Sequence, residues 1–244
     1  MLNGQRVVAV IPARAGSKAI VNKSIAPLGG RPLLAWPIQT AQVVPEIDRI
    51  IVSTDGDAIA SVATEQGAEV YARPPRLAAD TSLVIDALRD LIGRLRSEGE
   101  TARWMLLLEA TAPFRSPADV GACLLELAKD DVDSVATFTD AATKPAKAWT
   151  IAEGSPRPYL DGVDPWAPRQ ATPPAWELNG GCYGFVIDRL PTQGPNVLFG
   201  RSRAVLMPKE RSLDINDALD LAFAELVLGR QAGAPSPPSQ GLQP

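Results

Sequence analysis

A polar loop that follows the first apolar run carries residue types that can hold a phosphate chain. The run, residues 7–11 (VVAVI), is typical of a buried strand, and the loop spans residues 12–24. Small residues let backbone N–H groups approach phosphate oxygens, and cations neutralise their charge. The cations and small residues of the loop are Arg14, Ala15, Gly16, Ser17, Lys18 and Lys23. The spacing fits neither a Walker loop nor GxGxxG. On these residues alone, an ordinary solvated loop with three cations explains the pattern slightly better.

The composition excludes several kinds of catalytic site and of partner. The 244 residues include no histidine, which excludes Ser-His-Asp and Cys-His catalysis, histidine bases and histidine zinc sites. Any chemistry must use carboxylates, cationic side chains, backbone amides or a metal held by oxygen ligands. The net charge of -4 and the absence of a basic run of five residues argue against nucleic acid and a polybasic membrane contact.

The cellular location is expected to be the cytoplasm. No apolar stretch approaches the roughly 20 residues of a membrane helix. The start of the chain reads as a strand rather than a signal peptide, because Pro12 and Arg14 interrupt its apolar run. Cys123 and Cys182 lie far apart and outside any CxxC pattern, which favours free, buried thiols in a reducing compartment.

Strand and helix patterns alternate along most of the chain, which predicts an α/β fold with a mostly parallel sheet and right-handed crossovers. Strands are predicted at residues 7–11, 47–55, 69–71, 104–109, 133–139, 178–188 and 204–207. Helices are predicted from residue 31, with Pro32 in the first turn, and at residues 57–66, 81–96, 117–129 and 214–228. Ligands of such sheets bind beyond the carboxyl ends of the strands, where the polar loop lies.

Two segments depart from the alternation. Residues 140–176 are rich in Pro, Ala and Trp and have little periodicity, so we expect an inserted arm that covers a site or meets a partner subunit. Residues 229–244 contain almost no core-forming side chains, which predicts a disordered tail after a single domain of residues 1–228.

Five segments, in order, resemble the acylneuraminate cytidylyltransferase family, the CMP-sugar-acid synthetases. VIPARAGSKAIVNKSI is similar to the family's signature loop, IPARxGSKxIPxKNI. RPPRLAADTS, LLLEATAPFR, PRQATPPAWELNGGCYGFV and SLDINDALD resemble its base-recognition loop, LLQPTSPLR, RQxxxxxxxxNGaiY and sIDIDtxxD. The matches run from residue 7 to about residue 225, and five ordered motifs are far more specific than any one of them.

The resemblance implies a Rossmann-like, nucleotide-diphospho-sugar-transferase-like fold and a homodimer. It also implies transfer of CMP from CTP to a small acid, a sialic-acid-like nonulosonic acid, with Mg²⁺ or Mn²⁺ as cofactor. In the nucleotide half, Arg14 and Lys23 would hold the CTP phosphates, assisted by Lys18 and the amides of residues 15–17. The cytosine would lie at Arg73, Ala78 and Ser82. Without the flanking RPxxLA pattern, a salt-bridged loop arginine would be the preferred interpretation of Arg73.

The metal motif departs from the family at one residue. The resemblance makes Asp214 the principal ligand, but its usual partner, a second aspartate, is here Asn216. An uncharged carbonyl can still ligate Mg²⁺, with lower expected affinity. From pattern alone, Ser212 or Asp214 would instead cap a helix. The apolar face of that helix would be Ile215, Leu219, Ala222, Phe223 and Leu226.

The acceptor half departs further. The residues that the resemblance places at the acceptor are Glu109, Thr111, Arg169, Gln170 and Asn179. Arg169 would meet the acceptor carboxylate through a bidentate fork. Glu109, Ala110 and Ala112 replace the family's glutamine, proline and serine, and a carboxylate there would repel an anionic acceptor.

Two alternatives therefore stay open. The departures at the acceptor motif allow a cytidylyltransferase for another acid, such as a phosphonate or an octulosonic acid. Asn216 allows a catalytically silent nucleotide-binding homologue. A Rossmann dehydrogenase is disfavoured because no GxGxxG follows the first strand.

Overall fold

The structure is a computed structural model that describes residues 1–17 and 19–233, with the backbone alone for Arg169 and residues 231–233. Its strands are β1 (Val7–Pro12), β2 (Pro27–Leu28), β3 (Arg31–Pro32), β4 (Arg49–Thr54), β5 (Glu69–Ala72), β6 (Trp104–Leu107), β7 (Ser134–Asp140), β8 (Trp149–Ala152), β9 (Ser155–Pro158), β10 (Trp176–Val186) and β11 (Ser202–Leu206). Its helices are α1 (Ala35–Gln42), α2 (Asp57–Glu65), α3 (Val84–Ser97), α4 (Pro117–Leu127) and α5 (Ala218–Gly233).

Seven strands form one sheet in the order β11-β7-β10-β6-β1-β4-β5. β1 pairs in parallel with β4 and β6, β4 with β5, and β11 with β7. β10 runs antiparallel to both of its neighbours, β6 and β7. The predicted mostly parallel sheet is confirmed, with one inverted strand that brings the 176–186 segment back across the loop after β6.

The sheet is covered on both faces, which explains why the central strand is apolar without alternation. Successive side chains of a strand point to opposite faces. Val7, Ala9 and Ile11 belong to one buried cluster, and Val8 and Val10 to the other. All five are fully buried, so the polar loop that follows them starts from a rigid support.

The predicted helix start at residue 31 is wrong. Arg31–Pro32 instead forms β3, which pairs antiparallel with Pro27–Leu28. Gly29 and Gly30 link the two strands with φ of 60° and 76°, a region that glycine enters at little cost. The hairpin delays the helix to Ala35.

The predicted start of the last helix at residue 214 is also wrong, and its cap is neither Ser212 nor Asp214. The Asp217 Oδ1 accepts hydrogen bonds from the backbone N–H groups of Leu219 (2.8 Å) and Asp220 (3.0 Å), as an N-cap does. Asp214 and Asn216 therefore lie in the loop before α5. The helix extends to Gly233, five residues past the predicted domain end, and residues 234–244 of the predicted tail lie outside the described residues.

The predicted apolar face of this last helix is buried only at Ile215, which precedes α5. Leu219, Phe223 and Leu226 are exposed, whereas Ala224 on the other side is buried. The exposed three are spaced i, i+4 and i+7 and form one stripe, called here the α5 stripe.

The segment predicted as an arm contains the β8–β9 hairpin, which pairs with no strand of the large sheet. Trp149 and Trp166 meet edge to face at 6.2 Å, and both are exposed. Lys147 is tied within the arm, since its Nζ donates to the carbonyls of Pro165 and Ala167. Within the described residues, no helix is long and apolar enough to cross a membrane.

Candidate active site

A cavity of about 710 Å³ opens at the carboxyl ends of β1, β5 and β6, where α/β sheets place their ligands. The loop after β1, Arg73 after β5 and the loop after β6 form its base. Leu178 and Tyr183 of β10 and the segment 195–198 complete its other side. Because β10 and β5 lie on opposite sides of β1 in the sheet, the cavity has two halves with different linings.

The half over β1 and β5, called here the cationic half, holds Arg14, Lys23 and Arg73. Arg14 forms a 3.0 Å ion pair with Asp80 at the cavity edge. Arg73 is 7% exposed and donates to Ser53, through Nε to Oγ (3.1 Å) and through Nη2 to the carbonyl (2.8 Å). Its contacts are thus those of a buried hydrogen-bonded arginine.

The cationic half is electrostatically prepared for an anion. Burial lowers the pKa of Arg73, Asp55 opposes this shift, and Arg14 adds to it. The positive charges of Arg14 and Arg73 repel each other, and an anion bound between the two guanidinium groups would offset that repulsion.

The amides of the loop after β1 are already engaged. The N–H of Ala15 donates to Asp55 Oδ1 (2.9 Å), and the N–H of Ser17 to the Ala15 carbonyl (3.0 Å). A Cβ on Gly16 would meet nothing within 4 Å, so this part of the loop stands in open space. Lys18 lies outside the described residues. Phosphate binding by these amides stays a prediction, and the Ala15 and Ser17 amides would have to give up their present partners for it.

Two of the three residues predicted at the cytosine lie away from the cavity lining. Ala78 and Ser82 flank the lining without contributing to it, whereas Arg73 and Val84 do contribute. Ser82 donates through Oγ to the Arg76 carbonyl at 3.0 Å, which fixes the loop but leaves no direct contact with the cavity.

The loop before α5 is held at the boundary between the halves. The Lys23 Nζ donates to the Ile215 carbonyl (3.0 Å), and the Ile215 N–H donates to the Thr111 carbonyl (2.8 Å). These bonds set the position of Asp214. Its Oδ2 accepts from Asn216 Nδ2 at 3.0 Å, and its Oδ1 is buried without a hydrogen-bond partner among the described residues. The structure thus brings together Lys23, Thr111, Asp214 and Asn216, although Asp214 and Asn216 do not line the cavity.

The half over β6 and β10, called here the acidic half, has Glu109 at its base, with Thr111 and Tyr183 beside it. A Cβ on Gly180 would lie 3.5 Å from Glu109 Cδ, so the carboxyl group packs against bare backbone. Burial raises the pKa of Glu109, and the charge of Asp214 raises it further, while Arg115 and Lys23 lower it. Burial and Glu109 also raise the pKa of Tyr183.

Asn179 is placed by the structure behind the cavity rather than in its lining. Its Oδ1 accepts from Thr137 Oγ1 (2.6 Å) and the Gly181 N–H (3.1 Å). Its Nδ2 donates to Ser212 Oγ (2.9 Å) and Met207 Sδ (3.3 Å). The buried amide thus fastens β7 and β10 to the chain that leads to Asp214.

The last two predicted acceptor residues lie in the arm. Gln170 is exposed in a short 3₁₀ helix, Arg169–Ala171, and does not line the cavity. Because the Arg169 side chain is outside the described set, its bidentate contact stays a prediction.

Sequence reasoning missed Tyr183, segment 195–198 and Arg115. The Arg115 side chain is fully buried, where burial lowers its pKa to about 10. Its Nη2 donates to the Glu109 carbonyl and, at 3.3 Å, to that of Gly180, which fixes the base of the acidic half. The tyrosine and the arginine stand inside the quoted motifs, so those motifs could have identified them. No pattern marks residues 195–198.

Comparisons with known proteins agree with this geometry. The chain matches the sequence profile of the family described as Cytidylyltransferase over residues 8–151. It is 31% identical over 228 residues to the CMP-N,N'-diacetyllegionaminic acid synthase of Legionella pneumophila, across 91% of this chain and 96% of that protein. It is 29% identical over 212 residues to an N-acylneuraminate cytidylyltransferase of Streptococcus agalactiae, across 86% of this chain and 50% of that one.

A solved CMP:2-keto-3-deoxy-manno-octonic acid synthetase complexed with CTP superposes with a TM-score of 0.69 at 16% identity, over 93% of this chain and 100% of that one. That likeness shows a shared fold. The sequence matches confirm the resemblance carried by the five motifs. The chain therefore belongs to the cytidylyltransferase family and is a CTP-dependent nucleotidyltransferase.

Proposed function

We propose that the protein transfers CMP from CTP to a small sugar acid of the nonulosonic class and releases pyrophosphate. One observation carries the proposal: the cavity joins a cationic half to Lys23 and Thr111, and both of these lining residues are hydrogen-bonded to Ile215, the neighbour of Asp214. The names of the Legionella and Streptococcus relatives support a nine-carbon acid as the acceptor.

The residues at the boundary suit a hard cation such as Mg²⁺ or Mn²⁺. No group of three or more Asp, Glu, His or Cys side chains that could hold a metal occurs among the described residues. Asp214 nevertheless offers a buried oxygen that lacks a partner, and Asn216 offers a carbonyl two residues on. Carboxylate and amide oxygens are ligands that Mg²⁺ accepts. A cation held there would neutralise charge on the phosphate oxygens.

The side chains of the cavity divide the reaction between them. A hydroxyl of the acceptor attacks the α-phosphorus of CTP, an oxygen–phosphorus bond forms, and the bond to pyrophosphate breaks. Arg14 and Lys23 stabilise the negative charge of the leaving pyrophosphate. The chain has no histidine, and we assign the removal of the hydroxyl proton to the Asp214 carboxylate, whose Oδ1 lacks a hydrogen-bond partner among the described residues.

The test is pyrophosphate release from CTP with Mg²⁺ across a panel of sugar acids, with UTP and ATP as matched nucleotide controls. We expect release with CTP and at least one nonulosonic acid, and little with UTP or ATP. Release only with phosphonates or octulosonic acids would move the acceptor to another class. Silence with every acid, while CTP binds, would contradict the proposed transfer.

The proposal includes a homodimer and a cytoplasmic location. Exposed apolar surface occurs on the arm, at Ile151 and Trp166, and along the α5 stripe, and a second copy of the chain would cover both. Both cysteines are free and buried, as is usual in a reducing compartment.

Light scattering after size exclusion tests the dimer. Phe223→Asp should shift the particle mass from two chains to one, because a charge cannot be buried against an apolar partner. Leu125→Asp, at an exposed leucine of α4, is the matched control and should leave the mass unchanged. A wild-type monomer at micromolar concentration would contradict the dimer.

A further inference from the structure

The acidic half of the cavity contains a buried carboxyl group that the family's usual glutamine does not provide. Glu109 follows β6, and Tyr183 faces it from β10, where Tyr183 and Leu107 are paired residues. Gly180 and Ala112 lie beside these two side chains and complete one wall of the cavity. A Cβ added to Gly180 would lie 3.6 Å from Glu109 Oε2 and 3.8 Å from Ala112 Cβ.

The Tyr183 hydroxyl donates a hydrogen bond to the Glu109 carboxyl group, so its proton is already engaged and the lone pairs that remain on the two side chains accept hydrogen bonds. A carboxylate accepts hydrogen bonds through both oxygens and donates none, whereas a glutamine amide offers two N–H donors. Leu178, Val197 and Leu198 also line the cavity, so part of its lining is apolar. In such surroundings an unmatched polar contact is costly and a matched one is strong.

The cations of the cavity lie mostly at its other end. Arg14 and Arg73 stand over β1 and β5, which lie two and four strands away from β10 in the sheet order. Lys23 lies at the boundary, with its Nζ bonded to the Ile215 carbonyl. Arg115 lies behind Glu109 and is fully buried, so it contributes charge without facing the cavity. An acceptor carboxylate directed at Glu109 would therefore meet repulsion.

We propose that Glu109 and Tyr183 form a specificity wall that selects an acceptor presenting an amino or hydroxyl hydrogen-bond donor to it, and rejects one presenting a carboxylate or an N-acyl carbonyl. The inference rests on the proposed function and narrows its substrate class. The acceptor carboxylate lies away from this wall. A carbonyl oxygen at the same place would face carboxylate oxygens with no proton between them, as in other sites built for one hydrogen-bonding pattern.

The test compares nonulosonic acids that differ at one carbon only, with a free amino group, a hydroxyl group or an N-acetyl group. Their dissociation constants are measured by calorimetry with CTP present. The wild type should bind the amino or hydroxyl acid at least about tenfold more tightly than the N-acetyl acid, the ratio for one hydrogen bond to a charged group. A ratio that falls with added salt identifies the amino group as the partner, since screening weakens charge pairs.

Glu109→Gln keeps the shape of the side chain and adds N–H donors, so the ratio should approach one or reverse. Tyr183→Phe should reduce it. Glu65→Gln, on the exposed surface of α2, should leave it unchanged. An equal ratio in wild type and Glu109→Gln, tighter wild-type binding of the N-acetyl acid, or no binding of any acid would overturn the inference. Pyrophosphate release in the same samples tests the proposed function separately, because a binding ratio needs no turnover.

Discussion

The two halves of the cavity are built on the same sheet but differ in charge, in partners and in the strands beneath them. The cationic half stands on parallel strands and carries Arg14 and Arg73, both already bonded at its edges. The acidic half stands where β10 inverts the sheet, and its base is Glu109, held by the buried Arg115. Under the proposed function, charge on one side and one-sided hydrogen bonding on the other would let a single cavity bind two unlike substrates.

The difference teaches which part of such a site can vary. A bound triphosphate would need cations, and the loop after β1 offers Arg14 and Lys23. A different acceptor would need a different lining only in the acidic half. Three departures from the resembled pattern, Glu109, Ala110 and Ala112, lie in the acceptor motif, and a fourth, Asn216, lies in the metal motif.

The largest effect is expected at the boundary between the halves. Asp214→Asn should lower kcat by about a hundredfold to a thousandfold at saturating Mg²⁺, because removal of one preorganised charge at a reacting centre costs that much. Steady-state pyrophosphate release measures it, with Glu65→Gln as the surface control. Near-normal turnover in the variant would show that Asp214 neither binds the metal nor takes the hydroxyl proton.

A smaller effect, confined to one half, is expected for Arg14→Ala. It should raise KM for CTP about tenfold to a hundredfold, as expected for a charge-assisted contact with phosphate. Arg31→Ala removes an arginine that is exposed and stacks on Trp36 outside the cavity, and it should change neither KM. A rise in the acceptor KM alone would contradict this assignment, because it would mean that Arg14 contacts the acceptor and not CTP.

Asn179→Leu distinguishes a binding role from a structural one. Loss of four buried hydrogen-bonding contacts should lower the free energy of unfolding by about 1–3 kcal/mol. Denaturant titration measures the change, and Gln170→Leu, at an exposed residue, should stay within about 0.5 kcal/mol of wild type. An unchanged free energy of unfolding together with a raised acceptor KM would instead support the predicted role of Asn179 in acceptor binding.

The smallest effect is a pH dependence outside both halves. Burial would raise the pKa of Asp119, but hydrogen bonds from Arg211 and Ser116 outweigh it and hold the pKa below its usual range. A depressed folded-state pKa means that this stabilisation is present above pH ~4 and is lost as pH falls through the lower folded value. Asp119→Asn should make the free energy of unfolding less dependent on pH in this acid range, by at most about 1 kcal/mol because solvent screens the half-exposed Arg211 partner. An identical pH dependence in the variant would contradict the pairing.

The fold and the cationic half follow from the sequence because their signals are local. Alternating apolar runs predict the parallel sheet, and Arg14, Lys23 and Arg73 stand in short motifs next to strand ends. The direction of β10 depends on a long connection through the arm, which no local pattern encodes. The α5 boundary depended on Asp217, whose capping role is hidden by two other polar candidates before it.

Contacts at long sequence separation explain what remained unseen in the acidic half. Thr137 and Ser212 complete the bonds of Asn179 from 42 and 33 residues away. Arg115 reaches Gly180 across 65 residues. A residue that a motif marks as important can thus serve the wall behind a site rather than the site, and only tertiary contacts decide between the two.

The most direct test of the divided cavity is the pair of KM values, for CTP and for the best acceptor, measured by pyrophosphate release in wild type, Arg14→Ala and Glu109→Gln. Two separate halves predict that Arg14→Ala raises KM for CTP by about tenfold or more and leaves that of the acceptor within about twofold. Glu109→Gln should do the reverse. If both variants raised the same KM, or each raised both equally, the cavity would not be divided between the two substrates.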